Sequence, residues 1–187
     1  MKAFPILRTA ACSLVLALAG TAARAHTAPL TQPALSPQSR ALLEPKPSPA
    51  ATATGKIGTT NVTVNYSSPG VKGRKIFGGL EPYGEVWRAG ANEATTVEFS
   101  QAVTVAGKAL PAGKYGFFVI PTAGAWTVIF NKVRNQWGAF KYDEKQDALR
   151  VMVTPRKPAL TERLAYGVTP KGLVLRWENI ELPVAIK

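Results

Sequence analysis

Residues 110–130 read LPAGKYGFFVIPTAGAWTVIF, and the fold is decided there. Pro111-Ala112-Gly113 is a turn signal, and Lys114–Ile120 is a run of strong β-formers. Pro121 stops the run because it has no backbone donor for another rung of a ladder. Thr122–Gly124 carries the chain round to Trp126-Thr127-Val128-Ile129-Phe130, a second run of the same kind. Two such runs across a short glycine-containing connection predict a β-hairpin.

The same period of two extends outward on both sides. Val62, Val64 and Tyr66 alternate with Asn61, Thr63 and Asn65, and Thr95, Val97 and Phe99 alternate again. Val103 and Val105 lead into a Gly107-Lys108 turn and then Ala109-Leu110. Downstream, Leu149–Thr154 ends at Pro155, while Arg163–Val168 and Gly172–Glu178 flank a Thr169-Pro170-Lys171 turn. Ile180–Ile186 carries Pro183, which an edge strand tolerates. About nine short strands at roughly ten-residue spacing, with no long amphipathic helix, predict an all-β fold. The expected architecture is an antiparallel β-sandwich of jelly-roll or immunoglobulin-like Greek-key type. Leu110–Tyr115 is analogous to a corner in which a tyrosine hydroxyl ties one sheet to a neighbouring loop.

One stretch breaks the period. Gly70–Thr96, GVKGRKIFGGLEPYGEVWRAGANEATT, holds six glycines together with Arg74, Tyr83, Glu85, Trp87, Arg88, Asn92 and Glu93. Loops beyond ~12–15 residues are usually functional or disordered. Here Ile76, Phe77, Leu80, Val86 and Trp87 are apolar anchors that argue for order.

The amino terminus carries export signals. Lys2 and Arg8 precede the apolar run Leu14–Ala19, and Ala23-Arg24-Ala25 is an A-x-A cleavage site, so residues 1–25 are expected to be a signal peptide cut after Ala25. The apolar run is shorter than the ~20 residues a membrane span needs, so no transmembrane anchor is expected after cleavage. Residues 26–54 are dense in proline and alanine and read as a disordered tether, placing the folded domain at residues 55–187. The expected location is periplasmic or secreted. The only cysteine, Cys12, leaves with the signal, so the exported chain must rest on its core alone.

The sequence has 23 lysines and arginines against 11 acids, a formal charge of +12, and cleavage would leave 20 against 11, or +9. The cations are scattered, with small clusters only at Lys72-Arg74-Lys75 and Arg156-Lys157. That distribution lacks the continuous stripe of a nucleic-acid binder, so no nucleic-acid partner is expected; attraction to an anionic envelope surface or polymer is favoured over it, and the plainest reading of the charge is solubility.

Most catalytic chemistries are excluded by absence. His26 is the single histidine and sits in the tether, so zinc and copper ligand sets and a serine relay lack their imidazoles. No D-x-D-x-D calcium loop is present, no cofactor is expected, and Gly70–Lys75 lacks the G-x-x-x-x-G-K-[ST] order of a phosphate loop. Carboxylates remain. Glu85, Glu93 and Asp143 would serve a glycan hydrolase if two of them faced each other across a cleft. The competing reading pairs Glu85 or Glu93 with Arg88 or Arg74 to pin the loop. Trp126 and Trp177 fall in strand patterns and read as core, whereas Trp87 is either a stacking surface or the plug that orders the long loop.

Several segments carry a family resemblance. These are Ile57–Thr60, Tyr66–Arg74, Ile76–Leu80, Pro82–Arg88, Gly90–Thr95, Leu110–Tyr115, Phe130-Asn131 with Gln136-Trp137-Gly138, and Tyr142-Asp143. Together they resemble the bacterial exported family called domain of unknown function 2911, from about residue 56 to the end. The resemblance implies an envelope domain and brings no activity, substrate or cofactor with it.

The sequence therefore predicts a non-enzymatic module that binds a small molecule, a glycan or an envelope component. Its groove is expected to be lined by Arg74, Tyr83, Glu85, Trp87, Arg88, Asn92 and Glu93, with Asn131, Trp137 and Asp143 arriving from a second long loop. The alternatives are the carboxylate-dependent hydrolase and a purely structural module with no ligand pocket.

Overall fold

A computed structural model describes residues 47–187; the expected signal peptide, most of the expected tether and His26 lie outside the described residues. The described chain is an antiparallel β-sandwich. Its larger sheet has the order β1-β2-β3-β6-β7-β8, formed by β1 (Ala50–Ile57), β2 (Thr60–Ser67), β3 (Thr96–Phe99), β6 (Gly113–Ile120), β7 (Trp126–Asn131) and β8 (Asp147–Val153). A small hairpin of β4 (Val103–Val105) and β5 (Lys108–Leu110) is looped out between β3 and β6. The smaller sheet has the order β11-β10-β9, from β9 (Thr161–Thr169), β10 (Gly172–Glu178) and β11 (Ile180–Ala185). Pro183 lies in β11, an edge strand of that sheet, as its missing donor requires.

The central hairpin β6–β7 is buried on both faces, which is why its sequence is a continuous apolar run and not an alternation. Phe117, Val119, Val128 and Phe130 face the smaller sheet and join Val62, Val64, Val97, Leu164, Tyr166, Leu175, Trp177 and Leu182 in the main core. Phe118 and Ile129 face the other way. They are covered by Ala94 and Val86 from the long connection before β3, and by Ala139 and Tyr142 from the connection between β7 and β8. Both long connections are thus held down by the back of the sheet.

The corner analogy acquires a bond: Tyr115 donates its hydroxyl to the Pro111 carbonyl at 2.9 Å, closing the turn that leads from β5 into β6.

The domain begins earlier than residue 55. β1 starts at Ala50 and pairs with β2 along its whole length, from Ala50 opposite Ser67 to Ile57 opposite Thr60. The sequence AATATGKI alternates in exposure, but alanine against threonine offers almost no hydrophobic contrast, so the strand is silent to a periodicity argument. The ladder to β2 holds it in place. β1 also lies against β9, where a Cβ on Gly55 would come within 2.8 Å of the Val168 Cβ; glycine permits the approach.

Candidate functional site

The connection from β2 to β3, residues 68–95, is fixed at intervals along its course. Val71 donates to the Glu162 carbonyl at 2.8 Å and Lys72 N to the Glu162 carboxylate at 2.9 Å. Arg74 folds back on its own turn, donating from Nε to the Val71 carbonyl and from Nη2 to the Gly70 carbonyl at 3.0 and 2.6 Å. A tight turn follows, in which Glu81 N donates to the Ile76 carbonyl at 2.9 Å and Gly78 N to the Glu81 carbonyl at 3.0 Å. Gly78 has φ 72° and lies under the Tyr83 ring; a Cβ there would sit 2.8 Å from that ring. Trp87 then exchanges backbone bonds with Val119 at 2.8 and 2.9 Å, so the loop adds one rung to the edge of the core hairpin.

At the foot of this loop lies a cavity of about 260 Å³, lined by Ser48, Pro69, Arg74, Leu80, Glu81, Arg88, Gly90, Ala91, Asn92 and Trp177. Its back wall is rigid, because Trp87 and Trp177 stack with ring centroids 5.6 Å apart and Phe77 packs edge-on to both. Asn92, at φ 59°, holds the rim by donating to the Ser48 carbonyl and the Ser67 hydroxyl, each at 3.2 Å.

Two residues of this lining carry a polar atom without a partner. Arg88 Nε and Trp177 Nε1 are buried and hydrogen-bonded to nothing among the described residues. A buried donor without an acceptor costs on the order of 1–3 kcal/mol, so such groups call for an explanation. Trp87 Nε1 makes the contrast: it donates to the Gly90 carbonyl at 3.1 Å. The cavity also holds one half-buried carboxyl. Burial pushes Glu81 up from 4.5 to about 7, with the Arg88 and Arg74 guanidiniums acting in the opposite direction.

The model of the family described as Protein of unknown function (DUF2911) matches residues 48–186. The chain belongs to this family. No curated protein and no solved structure matches it. The DUF2911 match opens at Ser48, the residue whose carbonyl receives Asn92, and so includes β1.

Within this DUF2911 domain the residues expected to share a groove separate into three places. Arg74, Arg88 and Asn92 line the cavity. Trp87 does not present a stacking surface: it is 3% exposed and is the apolar plug between Phe77 and Trp177. Tyr83 and Glu85 are exposed, and Glu93 is exposed in a backbone bridge to Trp137. Neither Glu85 nor Glu93 pairs with Arg74 or Arg88 among the described residues, whose ion pairs involve Arg150, Arg156 and Arg176. The carboxyl near the two guanidiniums is Glu81 instead.

The second loop is also built differently from the expectation. Asn131 is fully buried; it donates to the Asp143 carbonyl at 2.9 Å and to Asp147 Oδ1 at 2.7 Å, and accepts from Val133 N at 2.8 Å. Asp147 is the hub. It accepts from Tyr142 at 2.6 Å and from Arg150, and Arg150 donates to the Tyr142 oxygen at 2.7 Å. Burial and the Asp147 hydrogen bond push the Tyr142 phenol up to about 12. Asp143 accepts from Lys145 N at 3.0 Å and caps the short 3-10 turn Glu144–Gln146. Among the described residues, of two cavities bordering the long loop one contains Glu93 and neither contains Glu85 or Asp143, so the paired carboxylates of a glycosidase are not assembled in them.

Glu81 and Trp177 are the cavity residues that sequence reasoning passed over. Glu81 sits in an aperiodic turn. Trp177 alternates as a core residue and is one, at 1% exposure, yet it lines the cavity and its one polar atom is buried without a partner. Among the described residues no cluster of three histidine, cysteine or acidic side chains could hold a metal, and no helix is long and apolar enough to cross a membrane.

Proposed function

We propose that the protein is an exported binding module whose ligand is a small acid seated in the cavity between Arg88 and Trp177. The observation that carries this reading is the pair of buried, unpartnered donors, Arg88 Nε and Trp177 Nε1, on two residues that line one cavity. Donors without acceptors select a ligand that brings acceptors, and two guanidiniums nearby select a negative charge. A carboxylate matches both. At about 260 Å³ the space lies just below the usual ~300–1,000 Å³ of drug-sized sites, which sets the ligand near the size of an amino or hydroxy acid. Export rests on Lys2, Arg8, the apolar run Leu14–Ala19 and the A-x-A site at Ala23–Ala25.

A thermal-shift and calorimetric screen of small carboxylic acids against their neutral amides tests the reading. Acids should raise the melting temperature and amides should not. Arg88→Met and Trp177→Phe should each remove the response while circular dichroism reports an intact sheet. Equal binding of acids and amides, or undiminished binding by both variants, would refute it.

A further inference from the structure

The connection between β7 and β8 has an inner and an outer side. Ala139 and Tyr142 pack inward on Phe118 and Ile129, and the Asn131, Asp147 and Arg150 network ties down its base. The turn Trp137–Lys141 is further pinned where Gly138 N donates to the Asn92 carbonyl at 3.0 Å and Lys141 N to Gln136 Oε1 at 3.2 Å. The outer side has no such employment. Phe140 is 87% exposed and Trp137 60% exposed, three residues apart on the same turn. Two large apolar side chains left in water three residues apart on an ordered loop are the kind of exposed apolar feature that interaction sites present.

The charges around this pair choose the partner. Lys132, Arg134, Lys141 and Lys145 are exposed on the same loop. Of its two exposed acids, Glu144 pairs with Arg150 at 3.0 Å and Asp143 caps Lys145 N, and Glu93, bridged to Trp137, is exposed beside them. Aromatic rings flanked by cations in excess of the neighbouring acids suit a membrane interface, where tryptophan rings settle at headgroup depth and lysines meet anionic lipid. A second copy of the chain would set like charges against one another.

We propose that residues 132–145 dock the domain on an anionic lipid surface, with Trp137 and Phe140 entering the interface and Lys132, Arg134, Lys141 and Lys145 meeting the headgroups. This surface does not depend on the cavity or on what the cavity binds.

The sequence supplies its own reporter. Trp87, Trp126 and Trp177 are 3%, 1% and 1% exposed, so solvent-dependent tryptophan emission comes from Trp137. The purified chain is mixed with vesicles of phosphatidylglycerol and phosphatidylcholine, and with vesicles of phosphatidylcholine alone. Anionic vesicles should sediment the protein, shift its emission to the blue and, with brominated acyl chains, quench it. Removing one cation, as in Lys141→Gln, should weaken binding roughly fivefold. The double substitution Trp137→Ala with Phe140→Ala should weaken it roughly tenfold or more. Trp137→Phe should keep binding and lose the blue shift. All these positions are exposed, and an unchanged melting temperature confirms that the variants fold. The proposal is overturned by absence of binding, by equal binding to neutral vesicles, by binding that survives the double alanine substitution, or by a blue shift that soluble glycan produces and anionic vesicles do not.

Discussion

Replacing Glu81 by glutamine should make the protein more stable at alkaline pH and leave it unchanged near pH 4. The folded chain raises the Glu81 carboxyl from 4.5 to about 7, chiefly because burial disfavours the charged form. The native state therefore holds this proton more tightly than the unfolded state does. Its contribution to stability is complete below about pH 4.5 and is lost as the pH climbs through about 7. Full burial would put the loss at up to ~3 kcal/mol; Glu81 is only half-buried, and water on its open side reduces this to about 1–2 kcal/mol. Glutamine keeps the shape and the neutral state at every pH. Melting temperatures of the two proteins should coincide near pH 4 and diverge by roughly 3–8 °C by pH 8, the variant being higher. Taking the difference cancels every group the two proteins share. A gap that stays constant from pH 4 to pH 8, or a variant less stable at pH 8, would show that Glu81 is not the buried proton-holding carboxyl inferred from the cavity. The same substitution removes a negative charge from beside Arg88 and Arg74, so an acidic ligand should bind the variant more tightly than wild type at pH 8.

Two other substitutions probe the elements around the cavity. Trp87→Ala removes the ring between Phe77 and Trp177 and should cost ~3–5 kcal/mol, seen as a melting temperature lower by about 10–20 °C; a drop of under about 3 °C would contradict its role as plug. Asp147→Asn takes the charge from the hub that serves Tyr142, Arg150 and Asn131. It should cost ~2–4 kcal/mol in urea unfolding. It should also bring the Tyr142 phenol down from about 12 in an alkaline absorbance titration and quicken proteolysis within residues 132–146.

How much was legible follows from how each residue's job is encoded. The hairpin Lys114–Phe130 announces itself because a strand buried on both faces must be apolar throughout. β1 does not, because alanine and threonine alternate without contrast and a backbone ladder holds the strand. In the long loop, Arg74, Arg88 and Asn92 were identifiable by residue type as polar groups on an ordered segment. Trp87 was ambiguous, since the same indole can plug a core or offer a face, and only the neighbours Phe77 and Trp177 decide between them. Asn131 and Asp143 look like ligand groups by type and are consumed by the chain's own backbone.

By itself the sequence determined the β-sandwich and the family, and raised the expectations of export and of an ordered Gly70–Thr96. These follow from local properties: a period of two, turn residues, apolar anchors and cations before an apolar run at the amino terminus. Tertiary structure alone decided where the candidate site lies, because the cavity joins residues far apart in the chain. Ser48, Glu81, Arg88 and Trp177 meet there across the β1 entrance, the long loop and β10. Whether a donor such as Trp177 Nε1 finds an acceptor depends on that meeting, and no stretch of sequence contains it.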